Sequence, residues 1–323
     1  MNLNPYANQT FFETIRLFFI RLIQGITGQL SFQDLSSDEI QVIVLTGVAA
    51  SSALVGSFLV LRKITMLANS ISHTILVGLV IAFLWTSHTG IESAAGVDIH
   101  SMLIASLVMG LITAFLTEIL TKVAKLQEDA STGLVFTSLF AFGVILLTTL
   151  TRNAHIGTEI VMGNVDILQL SDCQLVYAIL GLNLLLFLLF FKEYKITTFD
   201  PGLSRTFGIS PVIFNYLLLT QVSTTAIGAF RAVGVIMVLA LMTGPVLTAR
   251  LLTHRLNHLL SLSVFFGIIS CVIGVALSRH IFTVYGIPLS TGGIIVCVIA
   301  LVYLVVICLK KSKLGRVVNR PLA

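Results

Sequence analysis

His73 stands where a polar side chain needs a reason. It lies inside the membrane-length apolar run Met66-Leu-Ala-Asn-Ser-Ile-Ser-His73-Thr-Ile-Leu-Val-Gly-Leu-Val-Ile-Ala-Phe-Leu-Trp85, entered directly from Arg62-Lys63. A polar group at that depth is costly unless a helix, water or an ion satisfies it, so it is a functional-site candidate by default. An imidazole there can ligate a metal ion or carry a proton.

Other chemistry-bearing residues are sparse. His254-Arg-Leu-Asn-His258 is the only His pair at helical spacing. It follows Arg250 and has no acid partner, so it reads as a basic cap at the membrane surface. No Asp or Glu occurs after Asp200, which confines any carboxylate chemistry to the first two-thirds of the chain. Cys173, Cys271, Cys297 and Cys308 show no CxxC spacing and read as small buried hydrophobes. The chain has no GxSxG elbow and no HExxH, so neither catalytic nor cofactor-binding residues are assigned. It also lacks a GxxxxGK[ST] loop, and an ATP-driven mechanism would need a separate ATPase.

The elements that hold these residues follow from composition. Of 323 residues, 56% are hydrophobic and 10% charged, and the mean hydropathy is +1.02. A soluble domain carries roughly 25% charged residues. The chain is therefore a polytopic, all-α integral membrane protein. Counting apolar runs of about 20 residues gives nine spans, with eight to ten as the range: 40 to 61, 66 to 86, 101 to 121, 131 to 150, 174 to 191, 212 to 229, 232 to 252, 258 to 278 and 288 to 308. Residues 1–38 form an N-terminal interfacial, amphipathic segment, 39–309 the membrane domain and 310–323 a basic tail. Phe11 to Ile23 sets Glu13, Arg16 and Arg21 among aromatic residues, unlike a signal peptide.

The positive-inside rule orients the spans. Placing Arg62-Lys63 in the cytoplasm also puts Lys122, Lys125, Lys192, Lys195, Arg205, Arg250, Arg255 and the basic tail there. Arg152, Arg231 and Arg279 fall outside, among Asp38, Glu39, Glu92, Asp98, Glu159, Asp166 and Asp172. The N-terminus is external if the first segment lies on the surface and internal if it spans. Small residues such as those in Gly47-Val-Ala-Ala-Ser-Ser-Ala-Leu-Val-Gly56 suit close helix packing.

Two cytoplasmic connections are more than linkers. The first, Leu126-Gln-Glu-Asp-Ala-Ser-Thr-Gly133, runs straight into a span. In the second, Asp200 is a good N-cap, Pro201 suits the first helical position and Gly208 the stop. They predict a helix of about two turns lying between spans, a natural handle for a partner.

These residues, taken in order, resemble the membrane permeases of bacterial ABC importers for manganese, zinc and iron, the ABC-3 group. The resemblance covers residues 40 to 308. Its marks are Arg62-Lys63 with Asn69-Ser-Ile-Ser-His73-Thr-Ile-Leu-Val-Gly78, then Glu128-Asp-Ala-Ser-Thr-Gly-Leu-Val-Phe136, Met162-Gly-Asn164, Phe199-Asp-Pro201 with Gly208, and the stretch from Val233 to Arg250 that contains Thr243-Gly-Pro245. The family's pattern has Asp where this chain has Asn69, and Pro where it has Val77.

The resemblance implies a type II ABC importer permease-like bundle and a transported divalent metal (Mn, Zn or Fe) with no permanently bound cofactor. It implies a translocation contact at His73 and Asn69, four residues apart and so on one face of a helix. An amide keeps an oxygen ligand there but loses the charge, which weakens the site. Glu128, Asp129, Phe199, Asp200, Pro201 and Gly208 are expected to meet the ATPase. The implied partners are a cytoplasmic ABC ATPase, an extracytoplasmic metal-binding protein, a second permease subunit (homo- or heterodimeric) and membrane lipid, with no nucleic acid. The implied location is the bacterial inner (cytoplasmic) membrane, multi-pass. A metal-chelate permease, such as one for a siderophore, is the neighbouring alternative. A secondary cation carrier with His73 as its titratable group stands outside that class, although no acid lies near the middle of a span. An integral membrane enzyme is disfavoured by the missing motifs.

Overall fold

The computed structural model describes residues 5–6, 11–26, 36–89, 99–150 and 165–318. The described chain is helical. A short amphipathic helix, α1 (Phe11–Ile26), precedes α2 (Ser37–Arg62), α3 (Thr65–Thr89), α4 (Ile99–Lys122) and α5 (Glu128–Leu150). A 3₁₀ turn at Val165–Ile167 leads into α6 (Leu170–Leu189), α7 (Phe191–Phe199) and α8 (Pro201–Thr206). Then follow α9 (Pro211–Val233), α10 (Val235–Leu252), α11 (Leu256–Tyr285) and α12 (Thr291–Val318).

Each of the nine apolar runs lies mainly on one long helix, α2 to α6 and α9 to α12, with a few residues at some ends falling beyond it. Among the described residues, seven of these helices are long and apolar enough to cross a membrane. All-helical spanning follows from the solvent, because in hydrocarbon a helix satisfies its backbone polar groups internally. The boundaries obey local chemistry. Asp38 and Glu39 sit in the first turn of α2 and Glu128 and Asp129 in that of α5, where they complement the helix dipole. Helix α2 stops at Lys63, whose φ of 64° is left-handed, a common helix C-terminal conformation.

The helices group into two compact units. Residues Met1–Ser57, Asn164–Tyr177 and Ala240–Ala323 make the first, Phe58–Gly163 and Ala178–Leu239 the second. In the first unit, α1 packs on α11 and α11 on α12. Its acidic end is closely wired. Glu39 accepts from the Tyr6 hydroxyl (2.8 Å) and the Ser36 amide (2.8 Å) and pairs with Arg21. Arg279 donates to Asp38 at 3.0 Å, which accounts for one of the three basic residues expected outside. Asp166 accepts from Thr291 (2.7 Å) and Gln41 (3.1 Å).

In the second unit α3 packs against α4, α5 and α9, and α7 and α8 lie against α9. Close approach is visible at Gly110, where a Cβ would come 2.1 Å from the Ser223 hydroxyl.

Two expectations need correction. Only Cys271 is buried; Cys173 is half-buried and Cys297 and Cys308 are exposed on α12, all four as free thiols. Their apolar surroundings are thus partly outside the protein. His254 lies in the connection before α11 while His258 is in its first turn, and both are exposed, so the pair does not share a helix face.

Candidate functional site

Helix α3 brings Asn69 and His73 to one face, both half-buried. The imidazole rests against two rings of α5, Phe136 at 5.1 Å between centroids and Phe140 edge-on at 5.7 Å. Phe136 and Phe140 are themselves stacked, 5.9 Å apart. Among the described residues, neither the Asn69 amide nor the His73 ring has a hydrogen-bond partner.

The adjoining face of α3 is lined with hydroxyls. Thr74 and Thr113 share a buried hydrogen bond of 2.7 Å. Ser70 is 1% exposed and Ser223 0%, yet neither hydroxyl is hydrogen-bonded. Leaving such groups unsatisfied costs about 1–3 kcal/mol each. Residues 65–74 of α3 thus offer one imidazole, one amide and several hydroxyls, and no carboxylate. No group of three or more His, Cys, Asp or Glu side chains able to hold a metal exists among the described residues. Such a set offers a passing cation weak contacts rather than a permanent cage.

The second group of candidates gathers at the basic ends of the helices of the same unit. Asp200 caps α8 by accepting from the Leu203 amide at 2.9 Å, Pro201 occupies its first turn, and Gly208 follows with φ 76°. This matches the expected cap, start and stop. Pro201 and Glu128 line one cavity of about 430 Å³ with Arg62, Glu118, Lys122 and Asn215. Asp129 is exposed and takes no part in that lining. Phe199 is 59% exposed, and so are Leu203 and Phe207, at 46% and 67%. These three apolar side chains stand out around α8.

Several residues here were not singled out from the sequence. Helix α7, nine residues long, carries an apolar anchor inside a charged segment. Tyr194, wholly buried, packs against Phe58, Phe187 and Phe214. Its hydroxyl donates to Gln221 at 2.6 Å, and burial pushes the phenol well above its ordinary range, which keeps it a donor. Arg62 reaches across to Thr197, Thr198 and Asn215. Only the Arg62-Lys63 pair itself was visible beforehand. The Met162-Gly-Asn164 mark lies outside the described residues.

A family model for the ABC 3 transport family matches residues 38–310. The chain belongs to that family. It is accordingly a multi-pass transport permease. Among ABC 3 relatives, it is 39% identical over 303 residues to a probable metal transport system membrane protein of Chlamydia muridarum, covering 94% of this chain and 93% of the other. It is 37% identical to the manganese transport system membrane protein MntD of Bacillus subtilis, over 72% of this chain and 81% of that one. In structure it is similar to PsaBC of Streptococcus pneumoniae, solved in complex with Fab. The TM-score is 0.71, with 25% identity, and the match covers 88% of this chain and 95% of the other. The all-helical permease bundle expected from the ABC-3 resemblance is the fold found.

Proposed function

We propose that this chain is the membrane-spanning subunit of an ATP-binding cassette importer that carries divalent manganese, zinc or iron across the bacterial cytoplasmic membrane. The observation that carries the reading is the face of α3 that holds Asn69 and His73, with no hydrogen-bond partner for either among the described residues, in a chain of the ABC 3 transport family. The metal-transport names of its relatives support the cargo. Imidazole nitrogen with amide oxygen accommodates manganese, iron and zinc alike.

In this reading the ion is substrate, and no group is permanently bound. An extracytoplasmic binding protein delivers it, His73 and Asn69 touch it in transit, and weak neutral ligands let it leave. Two permease subunits flank the path. A separate cytoplasmic ATPase meets Glu128, Asp129, Phe199, Asp200, Pro201 and Gly208. The exposed Phe199, Leu203 and Phe207 give that contact apolar anchors, the kind of residue that carries interface energy.

The test is reconstitution of the chain with its ATPase in proteoliposomes and measurement of manganese, zinc and iron uptake with and without ATP. ATP-dependent uptake of a free ion is expected. Uptake driven by a proton gradient without ATP would replace the reading with a secondary carrier, and uptake of chelated iron alone with a chelate permease.

Asn69 supplies a graded check. Asn69→Asp adds a charge one turn from the imidazole, and cation sites tighten as ligand charge rises. The expected result is a KM for manganese lowered by about tenfold, with slower release at saturation. An unchanged KM would remove Asn69 from the path.

A further inference from the structure

Helix α2 ends at Arg62, and the chain turns into α3 within two residues. The turn is closed by backbone bonds from Lys63 to Val60 (3.2 Å) and from Ile64 to Leu59 (3.1 Å). Lys63 takes a left-handed φ of 64°. A turn this short and this bonded makes α3 follow the end of α2. His73 lies eight residues into α3, about 12 Å up its axis.

The Arg62 side chain does not cap its own helix. Its Nε donates to the Thr198 hydroxyl at 3.0 Å, one terminal nitrogen to the Thr197 hydroxyl at 3.0 Å and the other to the Asn215 side-chain oxygen at 3.3 Å. Thr197 and Thr198 are the last residues before Phe199-Asp200-Pro201. Asn215 is in the second turn of α9. One guanidinium thus joins the end of α2, the root of the Phe199–Gly208 segment and the start of α9. The guanidinium presents its donors in a rigid planar fork that reaches three partners in one geometry; an ammonium also has three donors, but they radiate from a single point on a flexible four-carbon stem.

The segment so joined is not loose. Tyr194, one turn before Thr197, is locked among Phe58, Phe187 and Phe214 and bonded to Gln221 of α9. Helix α7 also packs directly against α8, so a displacement of α8 reaches α7. The pair has a polar attachment to the α2–α3 turn, and that attachment is Arg62. The bland alternative is that Arg62 merely satisfies three polar groups near the membrane surface.

From this geometry we infer that Arg62 is a positioning residue which transmits movement of the Phe199–Gly208 segment to the helix bearing Asn69 and His73. The inference rests on the ATP-driven reading above. It assigns Arg62 to neither the ion nor the nucleotide. The residue makes cargo movement answer to the segment that meets the ATPase.

The experiment is manganese uptake and ATP hydrolysis measured together on the reconstituted complex, for wild type, Arg62→Lys and Thr198→Val. The ratio of ions carried to ATP hydrolysed is the readout. A structural role would lower the amount of assembled complex and leave that ratio alone. The expected result is a ratio reduced about tenfold in Arg62→Lys, the effect of a lost charge-assisted hydrogen bond, and reduced less in Thr198→Val. Thr198→Val keeps the inference testable if the lysine variant fails to assemble. A wild-type ratio in the assembled variants would overturn the role of Arg62 while leaving the permease reading intact. A wild-type complex that takes up manganese without ATP would overturn the permease reading and this inference with it.

Discussion

Manganese uptake by the reconstituted transporter falls to the level of empty vesicles when His73 is replaced by alanine. The expectation follows from how little else is available near that position. The other polar side chains in residues 65–74 of α3 are an amide and hydroxyls, and no group of three acids, histidines or cysteines able to hold a metal occurs among the described residues. Transition metals favour imidazole over neutral oxygen, so removing the nitrogen takes away the strongest contact in the set. The alanine also loses two ring contacts, to Phe136 and Phe140, each worth about 0.5–1.5 kcal/mol. That loss is small beside the burial that holds α3 against three neighbouring helices. A parallel His73→Phe variant keeps an aromatic ring among those two phenylalanines and removes only the ligand. Both variants are expected to assemble with the ATPase and to carry nothing. Uptake that survives in the phenylalanine variant would show that the imidazole serves packing and that the ion passes elsewhere.

How much of this was legible beforehand differs by element, for physical reasons. The long apolar helices announce themselves because lipid imposes a length and a composition on a span. The cap, start and stop at Asp200, Pro201 and Gly208 are readable because capping chemistry is local, acting within one turn. His73 is readable because a polar group in an apolar run is conspicuous. Helix α7 was invisible. Its sequence, Phe-Lys-Glu-Tyr-Lys-Ile-Thr-Thr-Phe, reads as a charged connection with no periodic apolar face. The residues that fix it are Gln221, 27 positions from Tyr194, and Arg62, 135 positions from Thr197. Contacts at that separation leave no trace in a local pattern. The unsatisfied hydroxyls of Ser70 and Ser223 were hidden for the same reason, since a membrane serine ordinarily bonds back to its own helix.

The other large effect is on folding, at Gly56. From sequence, the small residues between Gly47 and Gly56 suggest close helix packing without saying which of them is indispensable. The coordinates separate them. A Cβ on Gly47 would come 2.7 Å from a Val176 methyl, the end of a side chain that can turn away. A Cβ on Gly56 would lie 2.0 Å from the Met242 carbonyl oxygen, 2.7 Å from its carbon and 2.9 Å from its Cα. Backbone cannot turn away, so α2 and α10 would have to part along their contact. Membrane helices associate through such packing rather than through exclusion of water, and separating them forfeits it directly. Overpacking typically costs about 1–3 kcal/mol where side chains can adjust, and here they cannot. Gly56→Val is therefore expected to leave no monodisperse protein after detergent extraction. Gly56→Ala should lower the Tm by several degrees, on the order of 2–4 °C per kcal/mol for larger domains. Gly133 provides the contrast, because nothing lies within 4 Å of a Cβ placed there. Alanine at that exposed position of α5 improves helix propensity by up to about 1 kcal/mol, so Gly133→Ala should purify as well as wild type. If Gly56→Ala matched Gly133→Ala in yield and Tm, α2 and α10 would have to cross at a wider separation, with the small residues of α2 serving some purpose other than packing.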